Sequence, residues 1–110
     1  MRMWMVNPGT MCRRHLLGEH VECHMLASVI KSGKSLQGFI NNGLIDTSQL
    51  EDRHEKLASE MTRRGYNHQS PLYYTDTLNA GVVDAEVSRA ELARRCPDCK
   101  TRQSLEARYA

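Results

Sequence analysis

The sequence predicts an all-α protein: a small single-domain bundle of about three main helices with an extended N-terminus and long loops. Three observations lead there. Apolar residues recur at spacings of three and four between residues 12 and 30, the period of one helix face. Glycines and capping residues punctuate the chain at helix-length intervals. Few segments alternate strictly between apolar and polar side chains, as a half-buried strand would. The 110 residues fit one domain, taken as 1–110 with 96–110 as a tail. One Trp and one Phe leave the core to aliphatic and Met side chains. A net charge of +2 does not by itself argue for a polyanionic partner. Residues 1–40, however, carry Arg2, Arg13, Arg14, Lys31 and Lys34 against only Glu19 and Glu22.

The elements follow in order. Residues 1–9 read as extended and end in the turn Asn7-Pro8-Gly9. Thr10 is the expected N-cap of a helix running to about Ser32, where Gly33 stops it. On that helix Cys12, Leu16, Glu19, Cys23, Leu26 and Ile30 form one seam, and His15, Glu22 and Val29 form a line along its edge. A short helix over Ser35–Asn42 is closed by Gly43. Asp46-Thr47-Ser48 caps a second long helix, roughly Ser48–Arg64, with Leu50, Leu57 and Met61 inward and Gly65 as its stop. Gly65–Asn79 reads as a loop, long enough to suggest a functional one. A third helix runs from Val83 or Asp84 to Arg95, followed by a Cys-Pro-Asp-Cys turn and a final helical turn. No apolar run approaches the roughly 20 residues that span a bilayer, and the N-terminus is too short and interrupted for a signal peptide. A cytoplasmic protein without a membrane partner is therefore expected. Its four cysteines then read as thiols or metal ligands rather than disulfides.

Several residues carry chemistry. Glu22, at the edge of an apolar seam, is a partly desolvated carboxylate with a raised pKa. Glu19 lies in the seam and needs a partner, with Arg2, the terminal ammonium or backbone N–H groups as candidates. The plainer reading makes Glu19 a satisfied buried glutamate and Glu22 a solvated one. An α-amine titrates near about 8, so part of it is free base at neutral pH and can attack carbon. The bulky Arg2 should prevent removal of Met1, which leaves the working amine on Met1. Cys96-Pro97-Asp98-Cys99 is half of a zinc site, and the other half would be Cys12 with Cys23 or with a histidine. The competing reading is a pair of reduced thiols in a turn. His20 and His24 have zincin-like i, i+4 spacing, but the intervening glutamate is one position off and no third ligand is evident. Arg13, Arg14, Lys31, Lys34, Arg63 and Arg64 offer either a phosphate-binding surface or an ordinary solvated face. Asn67 and His68 either reach the nucleic acid or cap a loop. His54 reads as surface.

The stretch Arg14-His15-Leu16-Leu17-Gly18-Glu19-His20-Val21-Glu22 resembles the first-helix motif of the pyrimidine-dimer DNA glycosylases of the phage endonuclease V type. Arg63-Arg64-Gly65-Tyr66-Asn67 is similar to that family's basic-Arg-Gly-aromatic-Asn segment, and Arg2 falls on the arginine beside the family's nucleophilic residue. The resemblance covers roughly residues 1–70. It implies a bifunctional DNA glycosylase and AP lyase acting on double-stranded DNA with a damaged or modified base. It further implies attack of the Met1 amine on C1′ and Glu22 as the catalytic carboxylate. Arg2 and His15 would hold phosphates, and Arg64, Tyr66, Asn67 and His68 would lie among the DNA contacts. A monomer is expected, with no cofactor required; a structural zinc on Cys12, Cys23, Cys96 and Cys99 is the added possibility. The departures bear on the lesion. Met1 stands where the family has a Thr exposed by Met removal. Val21 and Met25 replace two arginines. The aromatic C-terminal segment is missing, with Tyr73, Tyr74 and Tyr109 as the only substitutes. The rival reading is a non-catalytic, zinc-stapled helical module that binds DNA or protein.

Overall fold

Among the described residues an extended N-terminal segment leads into five helices: α1 (Arg13–Ser32), α2 (Gln37–Asn41), α3 (Leu50–Arg63), α4 (Ala85–Arg95) and α5 (Pro97–Tyr109). This computed structural model describes residues 1–68 and 70–109, with side chains to residue 106. No strand occurs among the described residues, and no helix is long and apolar enough to cross a membrane.

α1 starts two residues later than capping propensity suggests. Pro8–Thr10 forms a 3-10 turn, and Cys12 caps α1 with its sulfur toward the His15 N–H. The predicted seam is nevertheless the buried face: Leu16, Glu19, Cys23, Leu26 and Ile30 are all buried, together with His20. Gly33 ends the helix at φ 77°, as expected of a C′ glycine. α3 likewise begins late, because Thr47 is engaged elsewhere. Its N–H donates to the Ala80 carbonyl and its hydroxyl accepts from the Ala80 N–H, so Thr47–Gln49 forms a 3-10 turn before Leu50. α3 closes in a Schellman arrangement, with Tyr66 N–H on Met61 O and Gly65 N–H on Thr62 O.

α1 packs on α3, and the N-terminal segment lies across them with Met3, Trp4 and Val6 buried. Met3 N–H donates to Leu44 O at 2.8 Å, which ties the first residues to the segment after α2. Each fully buried Leu at positions 16, 50 and 57 contributes about 1.5–3 kcal/mol to this core.

The tail departs most from expectation. The Cys-Pro-Asp-Cys segment opens a 13-residue helix rather than a turn. Pro97 at the first position favours that start. α5 packs on α4 and on the Pro8–Thr10 turn. Its contacts there are polar: Gln103 donates to Arg89 O at 3.0 Å and Arg102 to Gly9 O at 3.2 Å. A helix held by polar side chains and two cysteines leaves almost no apolar periodicity to read.

The long segment after α3 is pinned by Tyr74, whose hydroxyl lies 3.1 Å from both Thr47 O and Asp76 Oδ1. Gly81 makes the closest approach. A Cβ there would sit 2.1 Å from Ile45 O, and its φ of 92° is already unfavourable for an L-residue. Gly81→Ala is expected to cost more than the usual ~1–3 kcal/mol of backbone strain, read as a lower urea midpoint. Gly43→Ala, with its nearest contact at 3.6 Å, should cost less.

Candidate active site

The N-terminal segment runs past the edge of α1 and forms with it a cleft of about 480 Å³. Met1, Arg2, Trp4, His15, Glu19 and Glu22 line it, with Arg14 from the first turn of α1, Phe39 and Leu44 from the α2 region, and Arg95 from the end of α4. Helical periodicity explains the floor. His15 and Glu22 are two turns apart on the seam's edge and face the cleft, while Glu19 turns inward.

Glu22 is half-buried. Burial pushes its carboxyl above the usual glutamate range, and the Met1 ammonium and a hydrogen bond from the Arg2 backbone N–H pull it partly back. The terminal amine and the Glu22 carboxylate are thus electrostatic neighbours, as the sequence predicts. Arg2 lies over the Trp4 ring at 3.9 Å. Its guanidinium is pulled below its ordinary pKa by burial and by nearby Arg95, with Glu91 opposing. Trp4 in turn meets the His15 ring edge-on, centroids 6.0 Å apart.

Glu19 pairs with Arg53 of α3 rather than with Arg2 or the terminal ammonium, the partners expected from the sequence. Arg53 Nε lies 2.5 Å from Oε2 and Nη2 lies 2.8 Å from Oε1, with both side chains almost wholly buried. Arg53 also donates to Val6 O at 2.6 Å, so one guanidinium joins α1, α3 and the N-terminal segment beneath the cleft. The signal was present in the sequence: Arg53 stands three residues from Leu50 and four from Leu57, on the inward face.

The other predicted contacts divide. Arg13, Arg14, Lys31 and Lys34 are exposed, and Arg13 covers the Tyr66 ring at 4.9 Å. Arg64 is turned inward, its side chain only 7% exposed, where it bonds Glu60, Pro8 O and Met11 O. It ties α3 to the start of the chain instead of facing a phosphate. Asn67 is exposed. His68 sits 2.8 Å from His20, Nε2 to Nε2. His54 is fully buried rather than on the surface, because it too lies on the Leu50–Leu57–Met61 face. Its Nε2 donates to Ser70 O at 3.0 Å, and its Nδ1 lies 3.0 Å from Glu55. With His24 these rings form a four-imidazole cluster. Burial, then the imidazoles of His54, His68 and His24, push His20 down to about 4. The i, i+4 pair His20 and His24 therefore joins a packed imidazole cluster in which His20 bonds His68 and His24 meets His20 and His54 edge-on, partners that spacing along α1 alone did not reveal.

The cysteines divide as well. Cys12, His15, Cys96 and Cys99 converge, their four ligand atoms all within 4.8 Å of one another, and such a set is able to hold a metal ion. Cys23 is not among them. It is buried in the α1 seam about 16 Å of helix rise from Cys12, and burial beside Glu19 pushes its thiol up to about 12. The fourth donor is His15. Tyr73 and Tyr74 line a separate groove of about 670 Å³ with Ile30 and Lys31, which shares no residue with the Met1 cleft. The Tyr109 side chain lies outside the described residues.

Val21 and Met25, both exposed on α1, present an apolar surface where the resemblance places arginines. Neither a curated protein nor a solved structure matches the chain significantly. A family model does: that of pyrimidine dimer DNA glycosylase matches residues 1–74, the portion that contains Met1, Arg2, His15 and Glu22. With a family match over two thirds of its length and an amine beside a half-buried glutamate at the foot of a basic cleft, this chain belongs to the pyrimidine dimer DNA glycosylase family.

Proposed function

We propose that the protein is a bifunctional DNA glycosylase and AP lyase that uses the Met1 amine as nucleophile and Glu22 as its acid–base partner. The observation that carries the reading is the Met1 ammonium and the Arg2 backbone N–H acting together on the Glu22 carboxylate inside the cleft. The substrate is a duplex whose damaged or modified nucleotide is turned out of the stack to reach the amine. The free amine attacks C1′, the bond to the base breaks, and the base leaves with a proton. The Glu22 carboxylate stabilises the positive charge that develops on the sugar. The C1′–O4′ bond then breaks as the nitrogen's proton passes to O4′, which opens the sugar and gives an imine. Glu22 then accepts a proton from C2′, the C3′–O bond breaks and the 3′ phosphate departs. Water hydrolyses the imine, which restores the amine and leaves an unsaturated aldehyde on the cut strand. These steps balance with protein groups and water. Arg2, Arg14 and Arg95 at the cleft supply positive charge for the flanking phosphates.

The reading predicts a covalent adduct. Borohydride should link the protein to an abasic duplex, and N-terminal acetylation should abolish the link while leaving the circular dichroism spectrum unchanged. A protein whose intact Met1 terminus has been verified by mass, and which gives no adduct, would exclude the amine mechanism. The rival, a module that binds DNA without cutting it, would show duplex binding with neither adduct nor strand cleavage.

A further inference from the structure

We infer that Cys12, His15, Cys96 and Cys99 form a structural zinc site that fastens the C-terminal helical pair to α1 and fixes His15 beneath the cleft. The set consists of two short knuckles. Cys12-Arg13-Arg14-His15 is a Cys-x2-His at the start of α1, and Cys96-Pro97-Asp98-Cys99 is a Cys-x2-Cys at the start of α5. The two helix N-termini meet, and both direct their first-turn donors to one point.

The distances fit a tetrahedral ion. Bonds of about 2.3 Å to sulfur and about 2.0 Å to nitrogen imply edges of about 3.8 Å between sulfurs and about 3.5 Å between sulfur and nitrogen. Cys12 and Cys96 sulfurs are 3.8 Å apart, and His15 Nδ1 lies 3.2 Å from Cys12 Sγ and 3.5 Å from Cys99 Sγ.

The surroundings are those of thiolates. The Cys12 N–H donates to Cys99 Sγ at 3.3 Å, the Cys99 N–H to Cys96 Sγ at 3.5 Å and the His15 N–H to Cys12 Sγ at 3.5 Å. Each sulfur thus receives a backbone donor, the shell that orients metal-bound thiolates. Arg14 Nη2, 4.0 Å from Cys96 Sγ, offsets the single negative charge that three thiolates leave on a zinc ion. All three cysteines are buried and none is in a disulfide. Three sulfurs packed at this spacing without a cation would be mutually repulsive as thiolates and poor hydrogen-bond partners as thiols.

The consequence for the cleft rests on the glycosylase reading. With Nδ1 on the metal, His15 becomes a positioning residue that supports Trp4, over which Arg2 lies, instead of a phosphate contact. Cys96 directly follows Arg95, so the same ion holds Arg95 at the cleft wall. Residues 96 and 99 lie outside the segment the family model matches, which makes the staple an addition of this chain's C-terminal part.

The test is metal content and donor identity in the full-length protein, neither of which depends on DNA chemistry. Protein purified without chelator should carry one zinc per chain at the Cys/His set. Cobalt-substituted protein should show thiolate-to-cobalt charge-transfer absorption. Cys99→Ser should lose the zinc and Cys23→Ser should keep it. His15→Ala should weaken binding by about 10-fold or more, and His15→Cys should restore it. Absence of stoichiometric zinc, a Cys96–Cys99 disulfide in the reduced-handled protein, or full metal retention by Cys96→Ser/Cys99→Ser would each overturn the site. The cobalt spectrum of the wild-type protein decides the matter even where a variant fails to fold. If zinc is present and no imine adduct forms, the staple stands and the lyase reading falls.

Discussion

Glu22→Gln is expected to lower strand cleavage at an abasic site by about 10²–10⁴-fold, the usual contribution of a positioned acid–base group. Duplex binding should change little, because the amide keeps the shape of the carboxylate and the cationic rim is untouched. The pH dependence gives a second readout. Burial raises the Glu22 pKa, with the Met1 ammonium and the Arg2 N–H opposing. The carboxylate is the active form in proton abstraction, so the rate should rise with pH through that raised value. The acid side of the rate profile should therefore carry two ionisations, that of the carboxylate above the ordinary glutamate range and that of the attacking amine, and only the first should disappear in the Gln variant. The sign for stability is opposite. A carboxyl whose pKa is raised by folding favours the fold while protonated and disfavours it once ionised. Glu22→Gln should accordingly be neutral or slightly stabilising at neutral pH. A variant that lost activity by unfolding would show a fall in melting temperature instead.

The Glu19–Arg53 pair should give the largest stability effect in the molecule. Both side chains are removed from water, 2% and 0% exposed. Truncating either one strands the other, and breaking such a pair typically costs about 3–5 kcal/mol. Against the roughly 5–15 kcal/mol that holds a domain folded, Arg53→Ala should leave a marginal protein. Glu19→Leu combined with Arg53→Leu should cost less than the sum of the single changes, because no unpaired charge remains. It should still not return to wild type, since Val6 O loses its donor, a penalty of about 1–3 kcal/mol. Urea unfolding of the wild type, Glu19→Leu, Arg53→Leu and the double variant closes the cycle. A coupling near zero would show that the two residues are independently satisfied.

Both predictions concern α1, and α1 is where the sequence was most legible. The spacing of Leu16, Glu19, Cys23, Leu26 and Ile30 fixes which face is buried, and the same geometry puts His15 and Glu22 on the edge of that face. Gly33 and Gly65 mark helix ends because a C′ position at positive φ suits glycine. The distance from Met1 to Glu22 along the chain was legible only through the family resemblance, since an extended segment of that length is able to reach many places. α5 was not legible as a helix. It is held by Gln103, Arg102 and two cysteines, so its burial leaves no apolar stripe.

The sequence by itself determined the all-α class, the buried seam of α1 and the place of His15 and Glu22 on its edge, because each follows from local periodicity. Only the tertiary structure decided the partners. Arg53 rather than Arg2 neutralises Glu19, because α3 packs on the seam and brings Arg53 into it, whereas Arg2 lies over the Trp4 ring. His15 rather than Cys23 joins Cys12, Cys96 and Cys99, because the start of α1 meets the start of α5 while Cys23 lies about three turns away. His54 joins His20 and His68 for the same reason, as side chains from different elements converging where helices cross. Spacing along a chain fixes which residues share a face, and packing alone fixes what that face meets.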